Sequence, residues 1–299
     1  QARKVLNDIL EKTFQDPIST ESVEGFLRNW LKGKSNDRTA ERYRHAVNLF
    51  LRGLGRKAKT TLSAVQHQDV LAFMEARVQS GAASKTLSVD VKILNTAFNL
   101  ARRLGHIQNN PVEKALALRP IEVESSEKAC FTSGQIAALL KSATGDWDTA
   151  ILLGYYLGAR LSDCANMKWD NVNLVIHVID YQQQKTGKRV VVPIHPELES
   201  HLKEYAVAAK KETHLCPELA GKETGGKSGL SEKFKQIMKA AGINSQTAKG
   251  KGRRQFSKLS FHSLRHSFNS HLANAGVDQE TRMALTGHSN IEINNDYTK

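Results

Sequence analysis

Two stretches near the end of the chain carry residue types that handle charge. "FHSLRHSF" holds His262, Arg265 and His266, and "GHSNIEINNDYTK" closes the sequence with His288 and Tyr297. His262 and His266 lie four apart, a spacing that puts both on one face of a helix and in principle holds zinc. The rest of a zinc site is missing: no glutamate follows the first histidine as in H-E-x-x-H, Arg265 stands between the two, and no acidic cluster lies nearby in sequence. No metal is expected, and His266 reads as a satisfied core or capping histidine. A phosphate fits better. A phosphoryl group in transfer spreads negative charge over its oxygens, and fixed cationic hydrogen-bond donors stabilise it. Arginine is suited to this because its planar fork grips two oxygens and keeps its charge. His262 and Arg265, three apart, share a helix face. H-x-x-R is common by itself, and its bland reading is a surface pair.

The elements that must position these groups are legible from periodicity. "TSGQIAALLKSA" and "DTAILLGYYLG" read as helices, followed by a short helix at "SDCANMKW" that Ser162 is expected to cap. "VIHVIDYQQ" and "RVVVPI" are rich in β-branched residues and flank "KTGK", which predicts a hairpin with Lys185 at its tip. "ELESHLKEYAVAAKK" and "SEKFKQIMKAAG" return to helix, around a polar segment from about Glu212 to Gly229 read as a surface loop. "TAKGKGRRQFSK" reads as a basic loop that stays mobile until a polyanion orders it.

The first third reads as a small four-helix domain. Val23, Phe26, Leu27, Trp30 and Leu31 recur at helical spacing, as do Tyr43, Ala46, Val47, Phe50 and Leu51. Two more helices fit "DVLAFMEARVQ" and "TLSVDVKILNTAFNLARRLG", the last stopped by Gly105 with Pro111 beyond. Arg28, Lys32, Lys34, Arg38, Arg42, Arg44, Arg52, Arg56, Lys57 and Lys59 crowd its outer faces. They read either as a DNA-backbone surface or as a solvated helix face. "RPIEVESSEKACF" loses periodicity and gathers Pro, Ser and Glu, as an interdomain linker does. The division is 1–118, linker 119–131, and 132–299.

Composition agrees with a polyanionic partner. The formal charge is +13 and the pI about 9.6, a balance that favours nucleic acid through counterion release, with an anionic membrane surface second. No run of about eighteen apolar residues is present, so no membrane span is expected. Cys130, Cys164 and Cys216 are few and far apart, which argues against a disulfide framework or zinc ribbon and for reduced packing residues inside a cell. "QARKVLNDIL" lacks the apolar segment of a secretory leader.

Taken in chain order, "GARLSDCANMKWDNV", "QQKTGKRVVVPI", "FHSLRHSF" and "GHSNIEINNDYTK" resemble the tyrosine recombinase, or phage integrase, family. There an arginine opens a helix, a hairpin lysine follows, then H-x-x-R, then G-H with a tyrosine nine residues on. The resemblance covers about 132–299, and the first domain looks like the family's core-site DNA-binding domain. It implies a mainly α fold with a small β-hairpin or sheet (α+β), in two domains that form a C-shaped clamp around double-stranded DNA. Four protomers would form the synapse, with an accessory directionality factor as a further partner, in the cytoplasm at the nucleoid.

The resemblance also implies roles. Tyr297 would be the nucleophile that forms a 3′-phosphotyrosyl link, Arg160 and Arg265 would clamp the non-bridging oxygens, and His262 and His288 would donate to the phosphate. Lys185 would protonate the leaving 5′-oxygen, and Asp163 would support the site where many relatives carry glutamate. No cofactor and no metal are implied, and no G-x-x-x-x-G-K-[ST] loop is present. Singly, Arg160 also reads as a helix cap, Lys185 as a turn lysine, His288 as a helix C-terminal residue and Tyr297 as an exposed tyrosine. Relatives usually continue past the tyrosine into a segment that packs on a neighbour, whereas this sequence ends at Lys299. The biological readings are a mobile-element integrase or a chromosome-resolving Xer-type recombinase. The contrasts are a monomeric type IB topoisomerase-like enzyme and a catalytically silent DNA-binding protein of the same fold.

Overall fold

The computed structural model describes residues 21–34, 37–123, 129–208, 213–244, 247–248 and 256–287. They fall into two compact units divided near residue 125. The first is all helix: α1 (Val23–Lys32), α2 (Asp37–Leu54), α3 (His67–Gln79), α4 (Ser84–Arg103) and α5 (Pro111–Leu118). The four-helix reading therefore undercounts by one. α4 ends before Gly105 as expected, and Pro111 beyond it opens the added helix: it sits in the first turn of α5, where its missing N–H costs nothing, and Asn110 caps that helix through a bond from the Val112 amide at 2.9 Å.

Every apolar stripe in this unit meets a partner. Phe50 packs edge-on against Phe73 and Phe98, with centroids 5.5 and 6.0 Å apart. Beside this core the fully buried Asp90 is held by Arg42 at 2.5 Å and Arg77 at 3.0 Å. Arg28 is likewise paired, to Glu24, and Lys57 to Asp69, while Lys34 lies over the Trp30 ring. Arg44, Arg52, Arg56 and Lys59 stay exposed.

The second unit surrounds a three-stranded antiparallel sheet, β1 (Val172–Asn173), β2 (Val178–Gln182) and β3 (Arg189–Pro193), in that order. Ahead of it run α6 (Ser133–Ser142), α7 (Trp147–Tyr156) and α8 (Leu161–Ala165); after it come α9 (Pro196–Ala208), α10 (Leu230–Ala240), β4 (Thr247–Ala248), β5 (Phe256–Ser257), α11 (His262–Asn274) and α12 (Gln279–Thr286). The molecule is thus mainly α with a small sheet. Ile179, Tyr181, Val190 and Val192 face the core with Ile151, Leu153 and Leu264, as strand alternation requires.

Several local expectations change. The first strand of the hairpin, β2, is shorter than the β-branched run "VIHVIDYQQ", because the Asn173 carboxamide accepts from the amides of Val175 and Ile176 and turns the chain there, with His177 at φ 53°. The segment after α9 is not wholly surface, since Leu215, Cys216 and Leu219 are buried in the core. The linker's end is also built in: Phe131 is buried and its amide donates to Ser267 Oγ at 2.8 Å. The ends of the basic loop pair as β4 and β5; its centre, like His288 and Tyr297, lies outside the described residues. Cys164 and Cys216 are buried, and burial pushes both thiols up. Among the described residues no helix is long and apolar enough to cross a membrane.

Candidate phosphate-binding site

Arg160 stands where α7 hands over to α8. Gly158, at φ 61°, makes the left-handed turn that ends α7, and a Cβ there would lie 2.5 Å from the Phe268 ring. Arg160 is the N-cap of α8: its carbonyl accepts from the Cys164 amide at 2.9 Å, so the helix opens two residues earlier than a Ser162 cap predicts. That leaves the Arg160 side chain uninvolved in capping and aimed across to the hairpin, where Nη1 donates to Gln183 Oε1 at 2.7 Å.

Arg265 is on the first turns of α11 and is 1% exposed. A guanidinium so deep needs acceptors. Nη1 donates to the Gly158 carbonyl at 2.7 Å and Nη2 to the Thr286 carbonyl at the end of α12. These bonds tie three elements together at the base of the site. His262, one turn earlier, is exposed, and its ring meets buried His266 edge-on at 5.2 Å. Among the described residues no group of three or more His, Cys, Asp or Glu could hold a metal.

Asp163 faces both arginines. Its Oδ1 accepts from the Gln184 amide at 3.0 Å, and Oδ2 is 3.9 Å from Arg160 Nη1. Burial raises its pKa, while the Gln184 bond and the charges of Arg160 and Arg265 pull it back down. Lys185 follows immediately, exposed in the turn that joins β2 to β3. α12 ends at Gly287, left-handed at φ 68°. The structure thus brings Arg160, Asp163, Arg265 and the Lys185 turn to one place with the end of α12, and His262 starts the same helix as Arg265.

Sequence reasoning overlooked Gln183, Gly158 and Thr286. Gly158 had a signal, a glycine directly after a helical run. Gln183 had one in parity: it continues the inward positions Ile179 and Tyr181, so the middle of three glutamines is fully buried. Thr286 acts through its carbonyl, which no side-chain pattern announces.

A family model, the phage integrase family, matches residues 130–299, more than half of the chain. The chain belongs to the phage integrase family. Among curated proteins of this family, the tyrosine recombinase XerC of Roseiflexus castenholzii is 28% identical over 93% of this chain and 88% of its own length. The lambda integrase tetramer bound to a Holliday junction matches with a TM-score of 0.71, at 16% identity, over 100% of this chain and 86% of that one. A Tn1549 transposon integrase in complex with circular intermediate DNA gives 0.70, also at 16% identity, over 93% and 95%. At such identities the two structures speak for the fold alone. The tyrosine recombinase relatives and the integrase fold agree in placing the chain among site-specific recombinases.

Proposed function

We propose that this phage integrase family member is a site-specific DNA recombinase, the integrase of a mobile element, that cleaves and rejoins duplex DNA through a 3′-phosphotyrosyl intermediate. The observation that carries the reading is the convergence of Arg160 and Arg265 on one spot beside the Lys185 turn and the end of α12. The two guanidiniums hydrogen-bond to neutral acceptors, the Gln183 carboxamide and the Gly158 and Thr286 carbonyls, and face one carboxylate, Asp163, whose pKa is raised, so the pair keeps a net positive charge for an anion. In the proposed step the Tyr297 oxygen attacks the scissile phosphorus and the bond to the 5′-oxygen breaks. Lys185 gives that oxygen its proton, and His262 takes the tyrosine proton. Arg160, Arg265, His262 and His288 stabilise the charge that gathers on the non-bridging oxygens. Tyrosine ordinarily titrates near pH 10, so proton removal accompanies attack. Because the phosphotyrosyl link retains the ester's energy, the reverse attack by a 5′-hydroxyl rejoins the strand without a nucleotide cofactor.

The first unit, with Arg44, Arg52, Arg56 and Lys59 exposed, serves as the core-site DNA-binding domain, and the second, from about residue 132, as the catalytic domain. The partner is duplex DNA at the nucleoid, the working assembly a tetramer, and an accessory factor sets direction. A related integrase crystallised as a tetramer on a Holliday junction supports that assembly.

The test uses duplexes drawn from the flanks of the gene and from chromosomal sites remote from it, each nicked just beyond a candidate cleavage position so that the cleaved fragment diffuses away. A denaturant-resistant protein–DNA adduct is expected without added metal for the wild type and not for Tyr297→Phe. Specific binding without any adduct would favour a silent DNA-binding protein. Adducts only on chromosomal sites remote from the gene would favour an Xer-type role.

A further inference from the structure

Gln183 has no part in the reaction just described, yet three pieces of the site meet on it. We propose that Gln183 is a positioning residue for strand cleavage: its buried carboxamide presets the Arg160 guanidinium and fastens the Lys185 turn to the end of α12. The inference rests on the reading of Arg160 and Lys185 as contacts to the scissile phosphate and its leaving group.

The carboxamide is fully buried. Its Oε1 accepts from Arg160 Nη1 at 2.7 Å and from Thr186 Oγ1, inside the Lys185 turn, at 2.8 Å. Its Nε2 donates to the Thr286 carbonyl at 2.9 Å, the same carbonyl that Arg265 Nη2 reaches. The partners fix which end is oxygen, since Arg160 and Thr186 bring hydrogens and Thr286 brings a lone pair. The main chain of Gln183 closes the turn from below, its amide bonding the Lys188 carbonyl at 2.9 Å and its carbonyl accepting from Gly187 at 2.8 Å.

The choice of an amide has a physical reason. A carboxylate would still accept from Arg160 and Thr186, but it would set its charge against the guanidinium meant for phosphate and face the Thr286 carbonyl with no hydrogen between them. An apolar side chain would leave Arg160 free to sample other rotamers. The fit extends to Gly287, where an added Cβ would lie 2.5 Å from Gln183 Nε2. Amide and glycine therefore pack as a unit just ahead of His288. Being buried, Gln183 offers nothing to the DNA surface, so its effect belongs to the chemical step.

The test takes the full chain and a nicked duplex on which the wild type forms its adduct, and measures the first-order rate at saturating protein together with the half-saturating concentration. Gln183→Met keeps the length and removes the polar ends; its saturating rate is expected to fall about 100-fold, the scale of a slightly misplaced catalytic group, with half-saturation unchanged. A duplex with a methylphosphonate at the scissile position lowers the charge that Arg160 must meet. On it the Gln183→Met deficit is expected to shrink by about tenfold, a rescue that a folding defect does not give. A Gln183→Met rate equal to wild type, or a deficit identical on both duplexes, overturns the proposal. If Gln183→Met fails to bind DNA, Gln183→Glu decides: slowed cleavage with normal binding supports the positioning role, and a wild-type rate or a joint loss of binding overturns it. A wild type that binds specifically and forms no adduct overturns instead the recombinase reading beneath it.

Discussion

Asp163 carries a negative charge into the space between two arginines, yet burial outweighs their attraction and its pKa is raised. With the folded pKa above that of the unfolded chain, the stability tied to this group is complete below the ordinary carboxylate range and is lost as pH rises through the folded value. Asp163→Asn keeps an acceptor for the Gln184 amide and removes the titration. Its Tm relative to wild type should therefore climb as pH rises from the ordinary carboxylate range through the raised folded value, and a difference independent of pH in thermal melts would show that Asp163 titrates as in the unfolded chain. Arg265 supports a sharper expectation on rate. Lysine cannot reach both the Gly158 and Thr286 carbonyls, and it presents a point charge where a fork is needed. Arg265→Lys should lower adduct formation by roughly 10²–10³-fold on the nicked duplex.

Elements place these residues through their ends. α7 stops on Gly158, α8 starts on Arg160 and α12 stops on Gly287, so two left-handed glycines and one N-cap frame the site. Gly287→Ala forces a Cβ into the left-handed region, worth roughly 1–2 kcal/mol, and also against Gln183. Denaturant unfolding should show at least that loss, and cleavage should slow more than stability alone explains. The hairpin is readable from sequence because β-branched runs flank a Gly-bearing turn. The late start of β2 is not, because Val175 and Ile176 have strand propensity whereas Asn173 supplies a competing side-chain bond to their amides. Ser162 resembles a cap by type, but residue type cannot show which carbonyl starts a helix.

At the scale of the molecule the +13 charge dominates the interaction with a polyanion. Some individual cations are locally paired: Arg28, Arg42 and Lys57 each hold a carboxylate inside the first unit. Arg44 and Arg52 of α2 and Arg56 and Lys59 in the turn after it are exposed, and in the proposed function they meet the DNA backbone. Replacing Arg52 or Arg56 by Ala should reduce the slope of log affinity against log salt by about 0.9 for each phosphate no longer neutralised, measured by titration of a specific duplex, without changing Tm. The first unit has its own core and its own buried Asp90 cluster. Asp90→Ala strands two arginines there and should cost about 3–5 kcal/mol in the unfolding of this unit.

The sequence by itself determined the charge, the helical stripes, the hairpin with its lysine, and the order of the cations along the chain, because these depend on residue type and on neighbours within a few positions. Only the tertiary structure decided that Arg265 is buried against two carbonyls, that Asp163 titrates above its usual range and that Gln183 joins Arg160 to the end of α12. Each of those depends on atoms from segments 21 to 107 residues apart, and no local pattern encodes which distant carbonyl a buried donor will find.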